Sequence, residues 1–228
     1  MDIIISGTVG VGKSTISKML YLKFKKDLNL KVNLIKEIAD ENPYLDFYYK
    51  NKEEWSFLTQ IDFLRMRFKS VFINNNDDYI NIYDRHFLDD YVFSSLSLIK
   101  ESMSSFNFNI YKRINQELLE RINYRKQKIY FFLLISDFET TLLRIKKRGR
   151  ESEQDLKLNL YWRSLYQKYY QDSEIKNYFK KNSDYFFLIN ADQAKGKILD
   201  DILKIIKKGK YYEDSYQWNN WSWQKHNC

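Results

Sequence analysis

The chain has 228 residues, 44% hydrophobic and 18% aromatic, which is apolar material enough for the core of one sizeable domain. Net charge is +8, the isoelectric point is near 9.2, and mean hydropathy is −0.61. The longest apolar run, Ile129 to Ile135, is too short to span a bilayer, and the start Met1-Asp2-Ile3-Ile4-Ile5 lacks a basic leader. The single cysteine, Cys228, excludes a disulfide framework and a cysteine-based zinc site, so a reducing, cytoplasmic setting is expected. The basic residues are spread out and no nucleic-acid motif is present. The richness in Lys, Asn, Ile, Tyr and Phe accounts for the charge, and no nucleic-acid or membrane partner is expected.

Asp2 to Ser6 predicts a short buried strand. Lys13 to Asn29 has helical spacing through Ile16, Met19, Leu20, Leu22 and Phe24, and Val32 to Ile35 predicts a second strand. Asn42-Pro43 opens a short irregular or helical stretch. Glu53 to about Asn74 predicts a long helix with Phe57, Ile61, Leu64 and Phe68 on one face. Tyr79 to Tyr83 predicts a third strand ending at Asp84, followed by helices across Leu88 to about Lys126. The continuous apolar Ile129 to Ile135 suits the middle of a parallel sheet. Phe138 to about Lys147 and Leu156 to Tyr178 predict helices, Tyr185 to Ile189 a fifth strand, and Ala194 to Lys208 a last helix. Strands alternating with helices predict an α/β fold: one five-stranded parallel sheet covered on both faces. No linker divides residues 1–210, which read as one domain. Residues 211–228 hold Trp218, Trp221 and Trp223 among polar residues, a tail expected to be poorly ordered or to pack on the body or a partner subunit.

Gly7-Thr8-Val9-Gly10-Val11-Gly12-Lys13-Ser14-Thr15 fits G-x-x-x-x-G-K-[ST] and lies between the first strand and the first helix, the context this phosphate-binding loop requires. Glycines let backbone N–H groups wrap a phosphate, and the helix N-terminus adds partial positive charge. Lys13 is placed for the β and γ phosphates of ATP, and the Ser14 hydroxyl for Mg²⁺. This predicts a P-loop NTPase fold. With no Asn-Lys-x-Asp stretch for guanine and no room for a motor's added domains, a small-molecule kinase is favoured.

Asp84 and Arg85 close the third strand and Lys36-Glu37 the second, so strand-end logic brings them to the crevice that the phosphate loop occupies. Asp84 suits hydrated Mg²⁺ or a general base, Arg85 suits phosphate oxygens, and Glu37 can take a hydroxyl proton; the base lies between Glu37 and Asp84. Arg144 through Arg150 carries five positive charges in seven residues and reads as an arginine lid, with Arg144, Arg148 and Arg150 over the transferring phosphoryl group and Glu153 following. Gln60 and Arg67 share one face of the long helix, where a Gln needs a polar partner such as a base edge.

With Glu41-Asn42-Pro43-Tyr44, Tyr48-Tyr49-Lys50 and the motifs above, the chain from Met1 to roughly Lys208 resembles the deoxynucleoside kinase family, and especially the deoxyadenosine/deoxyguanosine kinases of low-GC bacteria. The resemblance implies ATP-dependent phosphorylation of a deoxynucleoside 5′-hydroxyl in salvage, with Mg²⁺, by a homodimer formed through the helices of Leu88 to Lys126. It implies Glu37 at the 5′-hydroxyl, Arg85 near the 5′-oxygen and Tyr49 and Glu153 at the 3′-hydroxyl. It also implies Gln60, Arg67 and Asp90 at the base; the neighbouring Arg67 charge is expected to keep Asp90 ionised. Phe63 on the base-facing helix and His86 after the acid–arginine pair depart from the family pattern. A thymidylate kinase or another nucleoside monophosphate kinase is the alternative, sharing the loop, an Asp-Arg pair and an arginine lid.

Overall fold

The computed structural model describes residues 1–74, 78–123, 127–150, 153 and 158–208. Five parallel strands, β1 (Asp2–Ser6), β2 (Val32–Ile35), β3 (Ile80–Asp84), β4 (Ile129–Ile135) and β5 (Tyr185–Asn190), form one sheet in the order β2-β3-β1-β4-β5. The central strand β1 therefore has β3 on one side and β4 on the other, and the chain changes direction across the sheet at the C-terminal end of β1. Strand order reverses there, which opens a crevice.

Side-chain alternation builds two cores. Ile3 and Ile5 of β1, Ile82 of β3 and Phe132 and Leu134 of β4 face α1 (Lys13–Leu22) and α9 (Lys195–Lys208). Ile4, Tyr83, Phe131 and Leu133 face the other helices. These are α3 (Lys52–Ile73), α4 (Asp90–Ile99), α5 (Ser105–Asn123), α7 (Leu158–Tyr170) and α8 (Ser173–Lys181). Phe131 and Phe132 are fully buried on opposite faces, and each contributes about 1.5–3 kcal/mol. Two shorter or peripheral helices, α2 (Leu45–Lys50) and α6 (Phe138–Arg148), border the crevice. The five strands fall where the sequence predicts them.

Three predicted helices are subdivided. After α1 the chain continues as a π-helical turn over Lys23–Asp27, and Asn29, at φ 48°, ends it in the left-handed region that Asn tolerates. The Leu88–Lys126 stretch becomes a 3-10 turn at Phe87–Asp89, then α4, then α5. Glu101, at φ 58°, turns the chain between those helices, and residues 124–126 lie outside the described set. The Leu156–Tyr178 stretch divides into α7 and α8 because the Asp172 side chain accepts the Ile175 N–H at 3.1 Å and starts a new helix. The 211–228 tail lies outside the described residues. No helix among the described residues is long and apolar enough to cross a membrane.

Candidate active site

The loop after β1 has an enforced shape. A side chain at Gly10, whose φ is +80°, would put Cβ 2.6 Å from the Thr141 carbonyl oxygen. At Gly12 there is space, but its φ of +108° is one that side chains rarely adopt. Lys13 turns back over the loop and donates to the carbonyl oxygens of Gly7 (3.1 Å) and Thr8 (3.0 Å). Burial and the nearby Arg85 lower its pKa to about 8. The Thr8 N–H donates to the Tyr170 hydroxyl at 3.0 Å, so this one amide of the loop is already engaged.

Two chambers meet at this loop. The first is a groove lined by Gly10 to Ile16, Arg144, Arg148 and the turn after β5, including Ala191, Gln193 and Lys195. Thr15 and Ser14 stand exposed in it at the start of α1. Arg144, one of the predicted lid arginines, also lines this groove. It lies along α6 and donates to the carbonyl oxygens of Val11 (3.2 Å) and Ala191 (3.3 Å), tying the phosphate loop to the β5 turn. The second chamber collects Glu37, Tyr49, Gln60, Arg67, Arg85, Asp90 and Glu153, together with Val9 and Arg150. Lys13, Glu37 and Arg148 line both.

Glu37 anchors the junction. It accepts from Arg85 Nε at 2.7 Å and lies 3.7 Å from Arg67. Burial favours the neutral carboxyl, but Arg85, Lys13 and Arg67 outweigh it and hold the pKa at about 2. Arg85 occupies the left-handed region at φ 70°, an uncommon conformation for a non-glycine residue, and is buried with its Nη1 on the Tyr169 hydroxyl at 2.8 Å. Asp84 lies one residue earlier, paired in register with Ile5 at the end of β1, and lines neither chamber directly. Burial raises its carboxyl above the ordinary range, while Lys13 and the Ser14 hydroxyl pull the other way. Its Oδ1 is buried without a partner.

At the far end of the second chamber, Arg67 is ion-paired with Asp90 and its guanidinium lies 4.4 Å from the centre of the Phe63 ring. Gln60 Oε1, Arg67 Nε and Asp90 Oδ2 are buried and unpaired, a set of one donor and two acceptors on the wall of one pocket. Asp90 differs from the sequence expectation: burial pushes its carboxyl up to about 7 even with Arg67 beside it, so it is not ionised across the whole neutral range. Glu153 accepts from Arg148 Nη2 at 2.5 Å and lies 3.7 Å from Arg150, so two of the predicted lid arginines gather on one carboxylate. His86 contributes no reactive group to the chambers: its Nδ1 accepts the Leu88 N–H at 3.4 Å and begins the 3-10 turn.

Sequence reasoning missed the aromatic hydroxyls of α7, since nothing marks Tyr169 and Tyr170 among nineteen tyrosines. It also missed the 191–195 turn, although the strand-end rule that located Asp84 applies equally to β5.

A parallel sheet, a phosphate loop at the crevice and a second polar chamber sharing a Lys, a Glu and an Arg with the first define a nucleotide-dependent phosphotransferase. The comparisons with known proteins narrow this. A family model described as deoxynucleoside kinase matches residues 3–207, and the chain belongs to that family. It is 30% identical over 212 residues to the deoxyadenosine/deoxycytidine kinase of Bacillus subtilis (strain 168), covering 90% of this chain and 92% of that protein. It is 26% identical over 225 residues to the deoxyguanosine kinase of Lactobacillus johnsonii, covering 95% of this chain and 97% of that protein. The solved structure of deoxyadenosine kinase from M. mycoides with bound dCTP is similar with a TM-score of 0.72 and 29% identity, covering 91% of this chain and all of that one.

Proposed function

We propose that this enzyme transfers the γ-phosphoryl group of ATP to the 5′-hydroxyl of deoxyadenosine or deoxyguanosine, with Mg²⁺, in nucleoside salvage in the cytoplasm. The observation that carries this reading is the junction: Lys13, Glu37 and Arg148 each line both chambers, so a phosphate held in one is within reach of a hydroxyl held in the other.

Glu37 is the general base. A carboxylate with a pKa near 2 is a weak base in the ground state. In a loose transition state the hydroxyl becomes acidic only as it bonds to phosphorus, so a fixed acceptor at the right place counts for more than basicity. Arg85, held by Glu37 on one edge, keeps further N–H donors for the 5′-oxygen or the phosphoryl oxygens. Lys13 and Arg148 spread the charge that develops on the transferring group. Tyr49 and Glu153 take the sugar 3′-hydroxyl, and Gln60, Arg67 and Asp90 take the base edge. Ser14 and Asp84 suit a divalent metal: a hydroxyl beside a carboxylate whose Oδ1 is buried and unpaired is an oxygen donor set of the kind that holds Mg²⁺ together with phosphates. When bound there, the metal neutralises charge on the β and γ phosphates.

Residues 1–210 act as one kinase domain and 211–228 as an appended tail. A homodimer through α4 and α5 is supported by Ile99 at 60% and Phe106 at 72% exposure, apolar side chains at the adjoining ends of those two helices. Sedimentation velocity with Phe106→Glu tests it, a wild-type monomer overturning it. The function is tested by assaying the four deoxynucleosides and dTMP at fixed Mg-ATP. Purine-deoxynucleoside-dependent ATP consumption is expected, and turnover with dTMP alone overturns the reading in favour of a monophosphate kinase.

A further inference from the structure

Tyr169 and Tyr170 are consecutive at the C-terminal end of α7, and both are buried. Being about 100° apart around the helix, they point to different sides of the crevice. The Tyr169 hydroxyl accepts from Arg85 Nη1 at 2.8 Å and donates to Asp89 Oδ1 at 2.9 Å. Asp89 is itself fixed by the Ser6 hydroxyl (2.5 Å) at the end of β1 and by the His86 N–H (3.0 Å). The Tyr170 hydroxyl accepts the Thr8 N–H at 3.0 Å and donates to the Leu134 carbonyl at 2.7 Å. A hydroxyl both donates and accepts, so each one joins a donor and an acceptor from different elements.

We propose that this tyrosine pair is the positioning device of the reaction, Tyr169 setting the hydroxyl-activating side through Arg85 and Tyr170 setting the phosphate loop through Thr8. The inference rests on the kinase reading above.

Arg85 Nη1 lies 4.0 Å from Asp89 Oδ1, too far for a hydrogen bond, with the Tyr169 oxygen bridging them. Without that oxygen the guanidinium and the carboxylate have no intermediary, and their attraction draws Arg85 inward, away from Glu37. The general base and its arginine then lose their mutual alignment, a loss felt in the chemical step. Without the Tyr170 oxygen, the Thr8 N–H and the Leu134 carbonyl lose a shared partner, and the phosphate loop loses its tie to β4. That loss is felt in nucleotide binding. Neither tyrosine lines either chamber, so neither is a catalytic residue.

The test compares Tyr169→Phe with Tyr170→Phe. Both keep the buried ring, and melting curves verify folding. Tyr169→Phe is expected to lower kcat about tenfold and leave KM for ATP within about twofold of wild type. Tyr170→Phe is expected to raise KM for ATP, and its calorimetric Kd, about tenfold while kcat stays within about twofold. Asp89→Asn, which keeps the volume and weakens the Tyr169 tether from its far end, carries the first arm if Tyr169→Phe does not fold, and must also lower kcat alone. Two folded variants that move the same parameter, or neither, overturn the proposal. An inactive wild type instead overturns the kinase reading, and the calorimetric arm on Tyr170→Phe still decides the inference about the loop.

Discussion

The donor side and the acceptor side of the crevice are built on different principles. The phosphate grip is a contiguous run, Gly7 to Thr15, whose work is done by backbone conformation at three positive-φ glycines and by one lysine. The second chamber, the proposed acceptor pocket, is discontinuous: Glu37 follows β2, Tyr49 lies on α2, Gln60 and Arg67 on α3, Arg85 after β3, and Asp90 opens α4. Its work is done by side chains that hold one another through ion pairs. The contrast predicts that damage on the donor side acts on nucleotide charge whatever the acceptor, while damage on the acceptor side separates chemistry from selectivity.

The largest effect is expected from Lys13→Ala, which removes the one cation lodged inside the loop. Phosphoryl transfer should fall by roughly 10³-fold or more for every acceptor, with an unchanged melting temperature. A selective loss for one deoxynucleoside would break the contrast. Next, Glu37→Gln should lower kcat by about 10²-fold with little change in deoxynucleoside affinity, as loss of a general base requires. Asp84→Asn should instead raise the Mg²⁺ concentration needed for half-maximal rate. If the two phenotypes are exchanged in a metal titration of kcat, so are the two roles.

Asp90 offers a smaller, pH-dependent effect confined to the acceptor side. With its carboxyl pushed up to about 7, it carries a proton at pH 6 and is ionised at pH 8. The protonated form can donate to a 6-oxo base, and the ionised form accepts from a 6-amino base. The ratio of kcat/KM for deoxyadenosine over deoxyguanosine should therefore rise roughly tenfold from pH 6 to pH 8, the worth of one charge-assisted hydrogen bond. Asp90→Asn should flatten that dependence and leave KM for ATP unchanged. The smallest effect belongs to Asn51, whose side chain accepts the Glu54 N–H at 3.3 Å and caps α3, the helix that carries Gln60 and Arg67. Asn51→Ala should cost about 1 kcal/mol of stability in a denaturant titration, with kcat for saturating substrates preserved.

What the sequence determined by itself was the part encoded locally. The strand-loop-helix order around Gly7 to Thr15, the alternation that buries β4, and the strand ends carrying Glu37, Asp84 and Arg85 follow from short-range patterns that few other structures satisfy. The seven residues that gather in the second chamber were named from sequence partly through a resemblance whose motifs are themselves local. Tertiary structure alone decided how charge is distributed among them. Asp90 is drawn toward neutrality because it is buried, and Glu37 is held ionised because three cations converge on it from β3, α3 and the phosphate loop. Arg144 ties the phosphate loop to the turn after β5 because its guanidinium meets two backbone carbonyls. Tyr169 and Tyr170 become distinguishable from other tyrosines only when α7 is laid across the ends of the strands. Burial and the direction of a hydrogen bond depend on residues distant in the chain, and no window of sequence contains them.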